Sequence, residues 1–329
     1  MPAPTLVLLL LLVLGCAPPQ DGSLGGVRSA EFASREDHTQ LLEPQGQRIL
    51  HGAGPNLEDF RDYWDEVERT PPVLYATHFD LAWLPQDWAY LVEAAVSPRA
   101  QLVIPQIGLS LTYEGRPYED RVSRGDMDAQ IQVLCEGLRY LNRPAFLRIG
   151  YGVTSPYTRY RPEPYRQAWQ RIVDTVRTRY RLHQVAMVWG YAADPGDPGF
   201  MDFYPGDELV DWWGIDLFDP AGFTSTTTEA FLRGASEHGH PVMVGEAAPR
   251  GLGVHPDNGA WQRWFVPFFR FLRVHPQVKA FCYLHWTLGK TQISGDLDVL
   301  REYSLELEVP VYVHAAPADE LRWALEWER

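Results

Sequence analysis

Eight short apolar runs, separated by amphipathic stretches, recur along the chain from about residue 48 onward. The runs are "RILHGAG", "PVLYATHFDL", "QLVIPQIGLSL", "AFLRIGYG", "VAMVWGY", "DWWGIDLFD", "PVMVGEAAP" and "VKAFCYLHW". Segments such as "LEDFRDYWDEVER", "DMDAQIQVLCEGLRYLN", "EPYRQAWQRIVDTVRTRYR", "TTTEAFLRGASEHG" and "WQRWFVPFFRFLRVH" lie between them with apolar residues at helical spacing. Alternation of this kind specifies a parallel sheet with crossover helices. A typical sheet has about five or six strands, so eight repeats favour closure into a (β/α)8 TIM barrel, class α/β. "HGAGPN" after the first run lacks the G-x-G-x-x-G pattern, which removes the dinucleotide fold and its cofactor.

The amino terminus divides from the rest by composition. Leu6 to Leu14 is an apolar run too short for a bilayer span but suited to an export signal. Val13, Leu14, Gly15 and Cys16 resemble a bacterial lipobox, in which the cysteine is lipidated, so the expectation is an exported, envelope-located protein. An ordinary cleaved signal with an incidental cysteine is the alternative. Residues 1–16 are read as signal, 17–47 as a polar flexible tether, and 48–329 as a single barrel domain. Cys135 and Cys282 lie in apolar runs and read as buried free thiols.

The formal net charge of −14 argues against nucleic acid, whose phosphates need a basic face. A monomer is expected, touching a membrane only through a lipid on Cys16. Twelve Trp and 16 Tyr suit either core packing or stacking on sugar rings.

In a barrel the chemistry sits at the C-terminal ends of the strands. That rule collects His51, His78, Asp80, Tyr113, Glu114, the Tyr151 to Tyr157 loop, Trp189, Tyr191, Asp216, Glu246, His285 and Trp286 at the mouth. Glu246 ends an otherwise apolar run and is the strongest candidate for chemistry. Its bland alternative is a structural carboxylate paired with Arg148 or Arg250. His51, His78 and His285 lack metal-type spacing, so neither a metal nor another cofactor is expected. "EHGHP", with His238 and His240, precedes the seventh strand and falls at the opposite end.

"FLRIGY", "PEPYRQAWQRIVDTVR", "VAMVWGY", "FYPGDELVDWWGIDLF", "PVMVGEAAPRG" and "VKAFCYLHW" together resemble glycoside hydrolase family 26, the mannanase-like barrels, over about residues 48 to 313. The resemblance implies retaining hydrolysis of a β-linked mannan- or glucan-type polysaccharide. It implies Glu246 as nucleophile after strand seven, and an acid/base Glu after strand four. Trp286, Trp189, His285, His78, Tyr151 and Tyr157 become the expected sugar-facing residues.

At the acid/base position this chain has Gly152. A retaining glycosidase needs two carboxyl groups about 5–5.5 Å apart. Either Glu114, Asp194, Glu163 or Asp216 supplies the proton in its place, or the barrel binds glycan at the envelope without cutting it. The sequence leaves both open.

Overall fold

All eight apolar runs become strands: β1 Ile49–Gly54, β2 Leu74–Asp80, β3 Ile104–Ser110, β4 Ala145–Ile149, β5 Val185–Ala192, β6 Trp212–Leu217, β7 Val242–Ala247 and β8 Val278–Leu284. They are parallel, each beside its chain neighbour, and β8 pairs with β1 to close the barrel. The computed structural model describes residues 40–193 and 198–325; the signal segment, Cys16 and Asp194 lie outside the described residues.

Five helices occupy the five amphipathic stretches, and two more that periodicity did not single out complete the ring. In chain order the helices are α1 Leu57–Glu66, α2 Trp88–Val96, α3 Asp128–Leu141, α4 Pro162–Asp174, α5 Thr226–His238, α6 Val266–Val274 and α7 Leu297–Leu307. α2 is largely apolar, which blurs its helical stripe. No α-helix follows β5 among the described residues. The Pro/Gly-rich chain there forms only 3₁₀ turns, Pro198–Phe203 and Asp207–Leu209, because proline removes backbone donors that an α-helix needs.

Alternation along the strands sorts the core into two layers. Side chains such as Leu50, Leu74, Ile104, Phe146, Ala186, Trp212, Met243 and Ala280 fill the barrel's lower interior. The opposite set, including Trp189, Tyr191 and Trp213, packs outward against the helices. The N-terminal end of the barrel is plugged from both chain directions. A last helix, α8 Ala318–Leu325, contributes Leu321 and Leu325 to the inner cluster. Residues read as the end of the tether also pack there: Leu42 is buried, and Trp212 donates its Nε1–H to the Leu41 carbonyl at 2.7 Å. The packed region therefore takes in residues upstream of position 48.

Candidate active site at the barrel mouth

Above the apolar layers the interior turns polar, and Arg148 is its centre. The side chain is wholly buried, with Nη2 2.6 Å from Asp216 Oδ1 and Nη1 3.4 Å from Glu246 Oε1. A buried guanidinium without counter-charges would cost several kcal/mol, so two carboxylates around it follow from its burial. Gln106, with its amide turned to suit its neighbours, accepts from Arg148 Nη1 at 3.0 Å and donates to the Gly245 carbonyl at 3.3 Å. Tyr151 covers the group from above, its ring centroid 5.0 Å from the guanidinium carbon. His78 Nε2 stands 2.8 Å from Glu246 Oε1 and its ring 5.3 Å from that of Tyr151.

Glu246 reaches this cluster because β7 is irregular. Ile215 pairs with Val244 while Asp216 pairs with Glu246, so β7 carries one extra residue at Gly245. Simple alternation would send Glu246 outward if Gly245 faces in; the bulge turns both toward the interior. Gly245 must also lack a side chain, since a Cβ there would lie 2.4 Å from Arg148 Cζ.

The two carboxyls are driven apart in acidity. For Asp216, burial is the largest influence and raises the pKa to about 7; the Glu246 charge adds to it, and the close Arg148 contact opposes without reversing it. For Glu246, burial pushes upward as well but is outweighed by attraction to His78, its contact with that ring, and the charges of Arg148 and Arg250, which hold the group at about 2. At neutral pH the site therefore contains an ionised Glu246 beside a carboxyl that readily holds a proton.

After β4 the chain turns sharply. Gly152 has φ +69°, and its carbonyl accepts from Ser155 N at 2.9 Å and Thr158 Oγ1 at 2.8 Å. A Cβ at this position would meet only ordinary contacts, 3.6 Å to Ser155 Cβ. Left-handed backbone, rather than lack of room, is what resists a side chain there.

The expected sugar-facing residues divide. His78 and Tyr151 join Glu246, while Trp286 (39 % exposed) and Tyr157 (79 % exposed) stand on loops after β8 and β4. Trp189 does not face the mouth: alternation places it outside β5, fully buried, with ring centroids of Trp213 and Tyr204 at 4.8 and 5.0 Å. His285 is likewise fully buried, packed edge-on to Tyr63 and accepting from Ile293 N at 3.3 Å; burial lowers its pKa to about 4. Of the candidate acids, Asp216 is in the cluster, and Glu114 is exposed in a hairpin turn at φ +48°. Glu163 faces solvent on α4, bonded to Gln167 and Arg166. His51 pairs with His314 at 3.0 Å, away from His78 and His285. His238 and His240 contact Asp207 and Tyr204 at the N-terminal side of β7.

Residue position along the sequence did not bring out two features. Gln106 was hidden in an apolar run, although a buried amide in a strand interior is itself a signal of an internal polar cluster. Trp83, 67 % exposed just after β2, stands with its ring centroid 5.8 Å from that of Tyr113, which follows β3. A tryptophan that exposed, paired with a second aromatic at the mouth end, is a surface suited to a ligand's apolar face.

Comparisons with known proteins follow the same lines. Residues 149–247, from the end of β4 to the end of β7, match the model of glycosyl hydrolase family 26. A β-1,3-xylanase from a Vibrio species is 25 % identical over 292 residues, 80 % of this chain and 62 % of that protein. A β-1,3-xylanase from an Alcaligenes species is 27 % identical over 292 residues, 80 % of this chain and 60 % of that protein. The matched region is thus about three fifths of the length of these curated relatives. Among solved structures, a mannanase of Bacillus subtilis superposes with a TM-score of 0.62 at 16 % identity, covering 83 % of this chain and 88 % of that one, a likeness of fold. Matched segment, curated relatives and barrel architecture together show a chain similar to glycosyl hydrolase family 26.

Proposed function

We propose that the barrel mouth takes a β-linked glycan and that Glu246 is the nucleophile of a retaining glycoside hydrolase. The observation that carries this reading is the placement of Glu246 at the end of β7, in a largely buried cluster where His78 and Arg148 both contact its Oε1 and favour the ionised form. An ionised Glu246 oxygen can attack the anomeric carbon, forming an ester bond as the glycosidic C–O bond breaks and its electron pair leaves on oxygen. Water then cleaves the ester, losing a proton and regenerating the carboxylate. Xylan- or mannan-type chains are the first substrates to try, given the relatives' names.

The leaving oxygen needs a proton, and general acid catalysis contributes typically about 10²–10⁴-fold. Asp216 is the carboxyl beside Glu246, and its surroundings favour the protonated form. Asp194, outside the described residues, is the other candidate from the β5 loop. A second reading has one observation in its favour. Gly152 takes a left-handed turn at the place where the family resemblance puts the acid, which suits a cleft that binds glycan without cutting it.

Dinitrophenyl β-glycosides of xylo- and mannooligosaccharides separate the two. Their leaving group departs without a proton, so a competent Glu246 releases dinitrophenolate and is trapped as a glycosyl ester, and Glu246→Gln abolishes both. Binding of oligosaccharide with no release at all overturns the hydrolase reading and leaves the binder. On unactivated glycan, Asp216→Asn and Asp194→Asn report which carboxyl, if either, supplies the proton. Export and a lipid on Cys16 belong to the same proposal, since an envelope glycan is reached only from outside the cytoplasm. Among the described residues no helix is long and apolar enough to cross a membrane. Cys16→Ala is expected to release the protein from the membrane fraction, and unchanged partitioning overturns the anchor.

A further inference from the structure

The arm that leaves β8, from Trp286 to Thr291, carries the half-exposed Trp286 and is tied down at two points. Thr291, itself 4 % exposed, closes its base: Thr291 Oγ1 donates to the Leu284 carbonyl at 2.5 Å and accepts from Trp286 N at 3.2 Å, while Thr291 N donates to the Trp286 carbonyl at 3.1 Å. The second tie comes from another element. Asp59 Oδ1, in the first turn of α1, accepts from both Thr287 N at 3.1 Å and Thr287 Oγ1 at 2.6 Å.

Asp59 is 3 % exposed, and its two carboxylate oxygens have separate work. Oδ2 accepts from Asn56 Nδ2 at 2.5 Å at the N-cap of α1, whose own side chain accepts from Asp59 N. The cap would be served by a carboxylate facing Asn56 alone. Oδ1 instead reaches a loop 228 residues away, next to Trp286 on the arm that leaves β8. A buried acceptor to a charged group holds its donors more firmly than a neutral one, and a ring presented on a fixed backbone binds without first being ordered.

We propose that Asp59 is a positioning residue for glycan binding, acting through Thr287 to fix the arm that presents Trp286 at the mouth. The inference rests on the glycan reading above and adds to it an element, α1, that carries no group at the Glu246 cluster. Thr287 is the better place to test it, since Asp59→Ala would also weaken the cap of α1.

Binding of β-1,3-xylotetraose and β-1,4-mannotetraose is measured by calorimetry for Thr287→Val, Thr287→Ser, Trp286→Ala and the double variant Thr287→Val/Trp286→Ala. Loss of the Thr287 hydroxyl is expected to weaken binding about three- to tenfold, and serine, which keeps the donor, to restore it. In the Trp286→Ala background the valine substitution is expected to have no further effect, a coupling that a merely structural role would not produce. If wild-type protein binds and Thr287→Val binds equally well, or if its effect adds fully to that of Trp286→Ala, the positioning role is overturned while the glycan reading stands. If wild-type protein binds neither probe, the glycan reading falls and this inference falls with it.

Discussion

Asp216 and Glu246 are direct register partners across β6 and β7, and one guanidinium holds both, with Arg148 at 2.6 Å from the first and 3.4 Å from the second. One cation between two buried carboxyls leaves room for one proton. Asp216 takes it, because its burial and the Glu246 charge raise it, while contact with His78 and the charges of Arg148 and Arg250 hold Glu246 down.

The first test is titration. Since the Glu246 charge is one of the causes that raise Asp216, Glu246→Gln is expected to lower the Asp216 pKa from about 7, as followed by carboxyl carbon NMR. The stability sign follows. A raised carboxyl pKa favours the folded state fully below the ordinary value of about 4, and that contribution is lost as pH rises toward the folded value of about 7. In Glu246→Gln this loss is expected to shrink, so its unfolding free energy declines less between those pH values.

Removing the cation has the opposite consequence. Arg148→Met leaves two carboxyls buried against each other, and a loss of about 3–5 kcal/mol is expected at pH 7. Because both groups can then take protons, part of the loss is recovered at pH 5. Urea unfolding at the two pH values measures it, and equal destabilisation at both would contradict the shared-cation account.

His285 supplies an acid-side test of its own. Burial lowers its pKa to about 4, so the neutral ring is favoured in the folded state. That contribution is present above the ordinary value of about 6.5 and lost as pH falls from there to the folded value. Replacement by Gln is expected to flatten the fall of the melting temperature over this interval, while glycan binding at pH 7 changes far less than in Trp286→Ala.

Trp189 and Trp286 separate packing from presentation. Trp189→Ala removes a fully buried ring and is expected to cost about 3–5 kcal/mol. Trp286→Ala is expected to leave stability within about 1 kcal/mol and to weaken oligosaccharide binding. Denaturant melts with calorimetry on both variants decide this.

Gly152→Glu tests the β4 turn. The space is open, yet φ +69° opposes any side chain, so a loss of about 1–2 kcal/mol is expected. If the turn relaxes to accept the carboxyl, cleavage of unactivated glycan rises above wild type. Gly152→Ala serves as the control for strain alone.

The barrel was legible because period-two apolar runs and helical stripes report burial directly, and all eight strands fall where the runs are. The same periodicity would have moved Trp189 off the site: with Val188 and Gly190 facing in, Trp189 must face out. His285 and Trp286 could not be separated this way, since they follow the strand and their directions depend on Thr291, Asp59 and Glu66, far away in sequence. The direction of Glu246 was illegible for a related reason. A bulge is a property of pairing between two strands, and neither strand's sequence marks it alone.

Gly245 carries that point further. A methyl group there would displace the guanidinium that keeps its neighbour ionised, so a side chain of zero volume on β7 and a long cation on β4 form one packing unit. Descendants of this barrel can exchange either member only together with the other. Where a relative has lost the arginine, the glycine is free to drift, and the acidity of its strand-seven glutamate must be set by some other means.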